Sequence, residues 1–269
     1  MSNDDMQISE VELQAMTAHM VEMHEETYPI MRASMADLGS DLRATGARVG
    51  GSIASRRGFL TGGTAVVGGL LLAACSSTSG KAGAASPQPS SGSSGSSGGD
   101  QAALATNASL ENLAVFAYGA ALKAAPMGKF GKTVPAAVAQ FAAVAMKQHQ
   151  DHADAFNAAL RGAGGTPYTK PDPALTPAVL KMFGAVKSVP GLAMLAITLE
   201  NTAAATYIQQ MGTLTSASAI AAVATIAPVE RQHAAILSFV LGDYPVPDTF
   251  VKLIATPTSL GARPNTDAA

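Results

Sequence analysis

Between residues 101 and 269 the chain has only three glutamates, Glu111, Glu200 and Glu230, and only three histidines, His149, His152 and His233. Carboxylate oxygens and imidazole nitrogens are ligands for divalent transition metals. The lysines of this segment scatter, but the six fall in one repeated pattern. Leu110-Glu111-Asn112 recurs as Leu199-Glu200-Asn201, each glutamate followed by an alanine three residues on (Ala114, Ala203) and a tyrosine seven residues on (Tyr118, Tyr207). His149-Gln150-Asp151-His152-Ala153 likewise aligns with Glu230-Arg231-Gln232-His233-Ala234. The segment reads as a duplicated helical hairpin with a pseudo-two-fold axis.

Helical apolar spacing, divided by proline and glycine, supplies the elements that must position these groups. Helix A is predicted over 101–124, ending before Pro126, and helix B over 135–161, stopping at Arg161-Gly162-Ala163-Gly164-Gly165. A long Pro- and Gly-rich connection follows, with a short helix at 177–187. Helix C is predicted over 190–212 and helix D over 216–242, kinked at Pro228 because a mid-helix proline loses a hydrogen bond. Two hairpins joined by a long crossover make an all-α, up-down four-helix bundle. The tail, 246–269, is expected to be extended or loosely packed, with one helical turn near 250–254.

Helical phase turns all six groups inward. Glu111 and Tyr118 continue the stripe of Leu104, Ala108, Val115 and Leu122, and His149 and His152 continue Val138, Ala142, Ala145 and Phe156. Glu200 lies with Ala193, Ile197, Ala204 and Tyr207, and Glu230 with Val223, Ala227, His233 and Leu237. Burying three carboxylates without partners costs several kcal/mol each. A divalent metal among them removes that cost, and the i, i+3 spacing of Glu230 and His233 aims both at one ion. The alternative is a bundle in which His and Glu pair by hydrogen bonds and hold no metal. Tyr118 and Tyr207 read as core residues whose hydroxyls reach a ligand carboxylate, and Met146 and Met194 as core filler.

In this arrangement residues 101–245 resemble the ferritin-like superfamily, whose carboxylate-bridged di-iron or di-manganese site takes one Glu from each of helices A and C and Glu-x-x-His from each of B and D. The resemblance implies the ferritin-like bundle type with a long B–C crossover. It also implies iron or manganese, as two ions, held by Glu111, His149, His152, Glu200, Glu230 and His233, and oxidase, ferroxidase or peroxide-removing activity. One departure matters: His149 stands where the family has a bridging carboxylate, and an imidazole does not bridge two metals in that way. The site is then lopsided, with a nitrogen-rich half, or holds one metal. Asp151 is turned about 100° from its neighbours on the helix and is a weak substitute. The competing function is a non-catalytic envelope protein with a structural or degenerate metal site, acting as a binding or interaction module.

Ser55-Arg56-Arg57-Gly58-Phe59-Leu60 resembles a twin-arginine export signal, and the apolar run 61–74 after it falls short of the about 20 residues of a membrane span. Leu72-Ala73-Ala74-Cys75 resembles a lipobox, where a lipoprotein is cleaved and its cysteine acylated. Cys75 is the only cysteine, so no internal disulfide is available to it. The competing reading is a chance Arg-Arg before a buried helix with a core cysteine. A Ser/Gly-rich linker over 76–100 then behaves as flexible coil. These motifs imply the twin-arginine translocase as partner and an anchor through lipidated Cys75 on the outer face of the cytoplasmic membrane. A homodimer is compatible with the sequence. Cage-type iron storage fits poorly with a tethered domain.

Residues 1–50 carry nine acidic residues against three arginines. Ile8, Val11, Met16, Met20, Met23 and Ile30 are spaced as on an acidic amphipathic helix over 9–38. His19, Glu22, His24 and Glu26 are assigned to its solvated face, and the extension, cytoplasmic, to the part removed with the signal. A start at Met31 or Met35 is the other reading. Eleven basic against nine acidic residues in 101–269 leave no basic face for nucleic acid.

Overall fold

A computed structural model describes residues 6–59, 96–247 and 250–264, with the side chains of 47–59 and 96–97 left aside. The long helices are α1 (Glu10–Phe59), α2 (Ser96–Ala124), α3 (Ala136–Gly162), α5 (Val189–Met211) and α6 (Ala217–Leu241), with a shorter α4 (Thr176–Ala185) in the crossover. Among the described residues the only β-pairing is an isolated bridge between Thr256 and Ser259. No described helix is long and apolar enough to cross a membrane.

Local chemistry sets the helix ends. Pro135 precedes α3, and the Ser188 and Ser216 side chains accept the Gly191 and Ala219 N–H groups at the starts of α5 and α6. Gly242 ends α6 in the left-handed conformation that a side chain disfavours. Pro228 leaves α6 a single helix over Ala217–Leu241.

The chain pairs α2 with α3 and α5 with α6 as antiparallel hairpins, joined by the long crossover that carries α4. One apolar cluster gathers Leu104, Phe156, Tyr207, Val223 and Ile226, and another gathers Tyr118, Phe141, Ala145, Ile197 and Leu237. In each helix the Glu or His positions fall between these two clusters, so the bundle has apolar ends and a polar middle layer. The asparagine of each repeat fastens the segment that follows its hairpin. Asn112 Nδ2 donates to the Tyr168 carbonyl at 3.0 Å, and Asn201 Nδ2 to that of Thr258 at 2.9 Å.

Two expectations need correction. The C-terminal segment has no helical turn over 250–254 and is not loose. Thr202 and Thr206, one turn apart on α5, accept the Leu260 and Arg263 N–H groups at 2.9 Å each, and Arg263 Nε lies 3.1 Å from both oxygens of buried Asp172. Met194, read as core filler, is 53 % exposed, whereas Met146 packs against the second cluster.

The larger correction concerns α1. It does not end near residue 38 but runs to Phe59, so Arg56 and Arg57 lie in its last turns. Cys75 and the linker to Gly95 fall outside the described residues. Val11 and Ile30 point to solvent, and the buried stripe is Leu13, Thr17, Met20, Met35, Leu38 and Leu42. That stripe packs on α3 and α6 and makes α1 a fifth long helix of the bundle. Gly39 crosses Gly162 so closely that a Cβ on either would lie 2.8 Å from backbone atoms of the other helix. Beside the crossing, Arg43 Nε donates to the Gly162 carbonyl at 2.8 Å and Nη2 to that of Arg161 at 3.3 Å, satisfying carbonyls at the end of α3. At the other end Gln7 N–H donates to the Val240 carbonyl at 2.9 Å.

Gly39→Val is therefore expected to undock α1, with an overpacking cost of about 1–3 kcal/mol. Amide exchange reads the outcome: protection over 10–42 falls while that of α2, α3, α5 and α6 persists. Unchanged protection of α1 contradicts the tight crossing.

Candidate metal centre

All six candidate ligands are buried, each at most 2 % exposed, and they converge from α2, α3, α5 and α6. Two overlapping groups form, Glu111, His149, His152 and Glu230, and His149, Glu200, Glu230 and His233, with ligand atoms of each group within 4.8 Å of one another. The duplication explains the pattern. The pseudo-two-fold exchanges Glu111 with Glu200, His152 with His233, and His149 with Glu230, so it maps one group onto the other. His149 and Glu230 are the shared pair.

The tyrosines cross between the halves. Tyr118 on α2 donates to Glu200 Oε1 of α5 at 2.5 Å, and Tyr207 on α5 donates to Glu111 Oε1 of α2. Each terminal carboxylate is thus oriented by the opposite hairpin. Burial, and then the negative charge of Glu200 or Glu111, holds each phenol well above its ordinary range, so both keep their protons.

His149 joins the halves: Nδ1 lies 2.7 Å from Glu111 Oε2 and Nε2 3.3 Å from Glu200 Oε1. Burial opposes its protonation, but the charges of Glu200 and Glu230 and these hydrogen bonds outweigh that and hold it well above 6.5. Glu111 is likewise pushed up by burial, yet His152 and His149 bring it down to about 2. Glu200 is held well below 4.5 against burial by His149 and His233. Glu230 goes the other way, raised well above 4.5 by burial and by the carboxylates of Glu111 and Glu200.

Whether these residues fit a metal is decided by what they lack. Both oxygens of Glu230 and Nδ1 of His152 are buried and make no hydrogen bond. His152 Nδ1 lies 3.3 Å from Glu230 Oε1, and His149 Nδ1 and His233 Nδ1 lie 3.7 and 3.8 Å from Glu230 Oε2. Unpartnered buried carboxylate oxygens are costly, and a divalent cation would supply the missing partner. The buried Glu/His cluster is compatible with a metal site.

The sequence profile of the ferritin-like domain matches residues 99–243, more than half of the chain. The chain belongs to the ferritin-like family. No match was found among curated proteins or among solved structures. The match leaves α1 outside the ferritin-like segment.

Sequence reasoning placed His24 on a solvated face, and the structure turns it to the ferritin-like bundle. Its Nε2 lies 3.0 Å from Asp151 Oδ2, its ring stacks on Tyr28 at 5.0 Å, and the ring of His152 lies 6.0 Å away. Asp151 belongs to neither ligand group and points to α1 and to Lys147. A signal was present: His24 follows Met20 by four residues and precedes Met31 by seven, which is the buried stripe's own spacing. His19, by contrast, is exposed beside Glu22. Gln148 was also missed, although it stands one helical turn before His152. It bonds His233 Nε2 at 2.8 Å and the Met20 carbonyl at 3.2 Å. A cleft of about 660 Å³ between α1 and α6, walled by Met20, Met23, His24, Tyr28 and Gln232, reaches His152.

Glu230→Gln tests the electrostatics. The folded-state value of Glu230 is raised above 4.5, so its contribution to stability is present below 4.5 and is lost as pH rises through the raised value. In chelator, the variant is expected to be more stable than the parent by about 1–3 kcal/mol at alkaline pH, with the gap closing toward pH 5. Urea unfolding at several pH values measures it, and a less stable variant at alkaline pH contradicts the assignment.

Proposed function

We propose that this ferritin-like chain binds iron or manganese in the Glu/His layer and uses it in redox chemistry, as an oxidase, a ferroxidase or a peroxide-removing protein. The observation that carries the reading is the pair of overlapping buried ligand groups with Glu230 unpartnered between them. Glu111 and His152 would hold one ion, Glu200 and His233 the other, and Glu230 would serve both. Such a metal pair supplies electrons to dioxygen or peroxide and regains them from a donor. The chain's own part is to exclude water with Phe141, Phe156 and the alanines around the layer, and to fix the terminal carboxylates through Tyr118 and Tyr207.

Export and anchoring complete the proposal. The Arg56-Arg57 pair and the Leu72-Ala73-Ala74-Cys75 sequence support delivery by the twin-arginine translocase and acylation of Cys75 on the outer face of the cytoplasmic membrane. A chain cut before Cys75 loses α1. A mass spectrum of the membrane-bound protein checks this: a diacylated N-terminal Cys75 supports it, and a full-length chain in the cytosol contradicts it.

His149 in place of a second bridging carboxylate favours the other reading, a non-catalytic envelope protein with a structural metal site. One experiment separates them. Full-length protein from iron- and manganese-replete cells is expected to carry one or two ions per chain and to oxidise ferrous iron with dioxygen or peroxide. The double variant Glu230→Ala, His233→Ala is expected to lose both properties. Metal-free parent protein overturns the metal reading, and metal-loaded parent without turnover leaves the structural one.

A further inference from the structure

We propose that α1, outside the matched family segment, is a working part of the metal centre: through the Met20 carbonyl and the Gln148 amide it presets His233 to offer Nδ1 as a ligand. The chain of reasoning is one of donors and acceptors. A backbone carbonyl only accepts, so the group of Gln148 that lies 3.2 Å from the Met20 oxygen must be the amide nitrogen. The amide oxygen then faces inward, 2.8 Å from His233 Nε2. That oxygen also only accepts, so Nε2 donates to it, and this 2.8 Å bond is shorter than the 3.3 Å approach of Nδ1 to Glu200 Oε2, which leaves Nδ1 as the nitrogen open to a metal. Nδ1 is the atom that faces the carboxylates, 3.3 Å from Glu200 Oε2 and 3.8 Å from Glu230 Oε2. Gln148 is 2 % and His233 0 % exposed, so water does not compete for these bonds.

The duplicated hairpin does not provide this device by itself. In the alignment of α3 with α6, the residue opposite Gln148 is Val229, which has no amide. The relay therefore serves His233 and has no counterpart through Val229. Met20 is held at the right height by contacts on both sides: before it Glu10 accepts the Ala137 N–H at 3.2 Å, and after it His24 bonds Asp151 and the Gly39–Gly162 crossing brings the two backbones together. Without α1 the Gln148 amide has no reason to keep its oxygen inward. Turned over, it would present N–H to His233 and favour the tautomer whose proton blocks Nδ1. Orienting partners of metal-bound histidines commonly change metal affinity 10–100-fold. Gln148 is a positioning residue in this sense, and Met20 acts through it. The device belongs to the uncut chain, because cleavage before Cys75 removes α1.

The affinity half of this inference rests on the proposed metal reading, and the tautomer half does not. The test uses metal-free, histidine-¹⁵N-labelled full-length protein, in which long-range proton–nitrogen correlations report which nitrogen of His233 is protonated. The parent is expected to show Nε2–H. Gly39→Val, far from the centre, and Gln148→Leu are each expected to shift His233 to Nδ1–H or a mixture, and to weaken manganese(II) binding about tenfold or more. Adding Gln148→Glu to Gly39→Val is expected to restore Nε2–H, since a carboxylate presents an acceptor whichever way it turns. A parent with Nδ1–H overturns the inference. So does an unchanged tautomer in Gln148→Leu, or in Gly39→Val once its α1 amides exchange freely. A parent that shows Nε2–H but binds no manganese or iron sinks the metal reading and leaves the orienting role standing.

Discussion

Three carboxylates and three imidazoles share one dry layer in the middle of a helical bundle, and most of the structure answers to that constraint. A charged group taken out of water must find opposite charge or hydrogen bonds nearby. The tyrosines meet the terminal glutamates from the opposite hairpin, His149 spans both halves, and Gln148 meets His233. Both oxygens of Glu230 and Nδ1 of His152 are left without a hydrogen-bond partner, Glu230 at the point where the two ligand groups overlap. The apolar clusters above and below keep water from relieving it. The polar middle has therefore been built around a demand for positive charge that the protein's own groups meet only in part.

The repeat alone makes much of this visible. Leu-Glu-Asn twice, and His-x-x-His opposite Glu-x-x-His, give four helices, their pairing and the inward face, because side-chain phase on a helix is fixed by geometry. The asparagines of that motif carry a second message that spacing does not decode. They fasten the crossover through Tyr168 and the tail through Thr258, and those partners are backbone carbonyls in irregular segments. Nothing in the apolar pattern of residues 250–264 announces that Thr202 and Thr206 will accept its N–H groups.

The N-terminal helix shows a different limit. Its apolar residues are sparse and interleaved with acid, so more than one stripe fits the spacing. Of the expected stripe, Val11 and Ile30 face water, while Met20 is buried and Ile8 and Met16 pack against the second cluster; the buried stripe runs on through Leu13, Met35, Leu38 and Leu42. Choosing between them needs the docking surface, which the ferritin-like hairpins supply. Gly39 was the better clue, because a glycine inside a helix weakens it and is kept where another backbone must approach. By sequence its partner Gly162 marks only the end of helix B. Both readings are true of Gly162, since the carbonyls at that end are what Arg43 reaches.

His149 is where the symmetry of the duplication fails, and the failure has a chemical direction. With glutamate on both sides of the pseudo-two-fold, the shared pair would be two carboxylates, each with an oxygen for either ion. An imidazole that gives one nitrogen's lone pair to a metal keeps a proton on the other nitrogen, and here each nitrogen faces a different carboxylate, Glu111 or Glu200. It can therefore complete one ligand group only while donating a hydrogen bond into the other. With a metal bound, one group would then offer four protein ligands and the other three. The substitution thus makes two equivalent halves unequal.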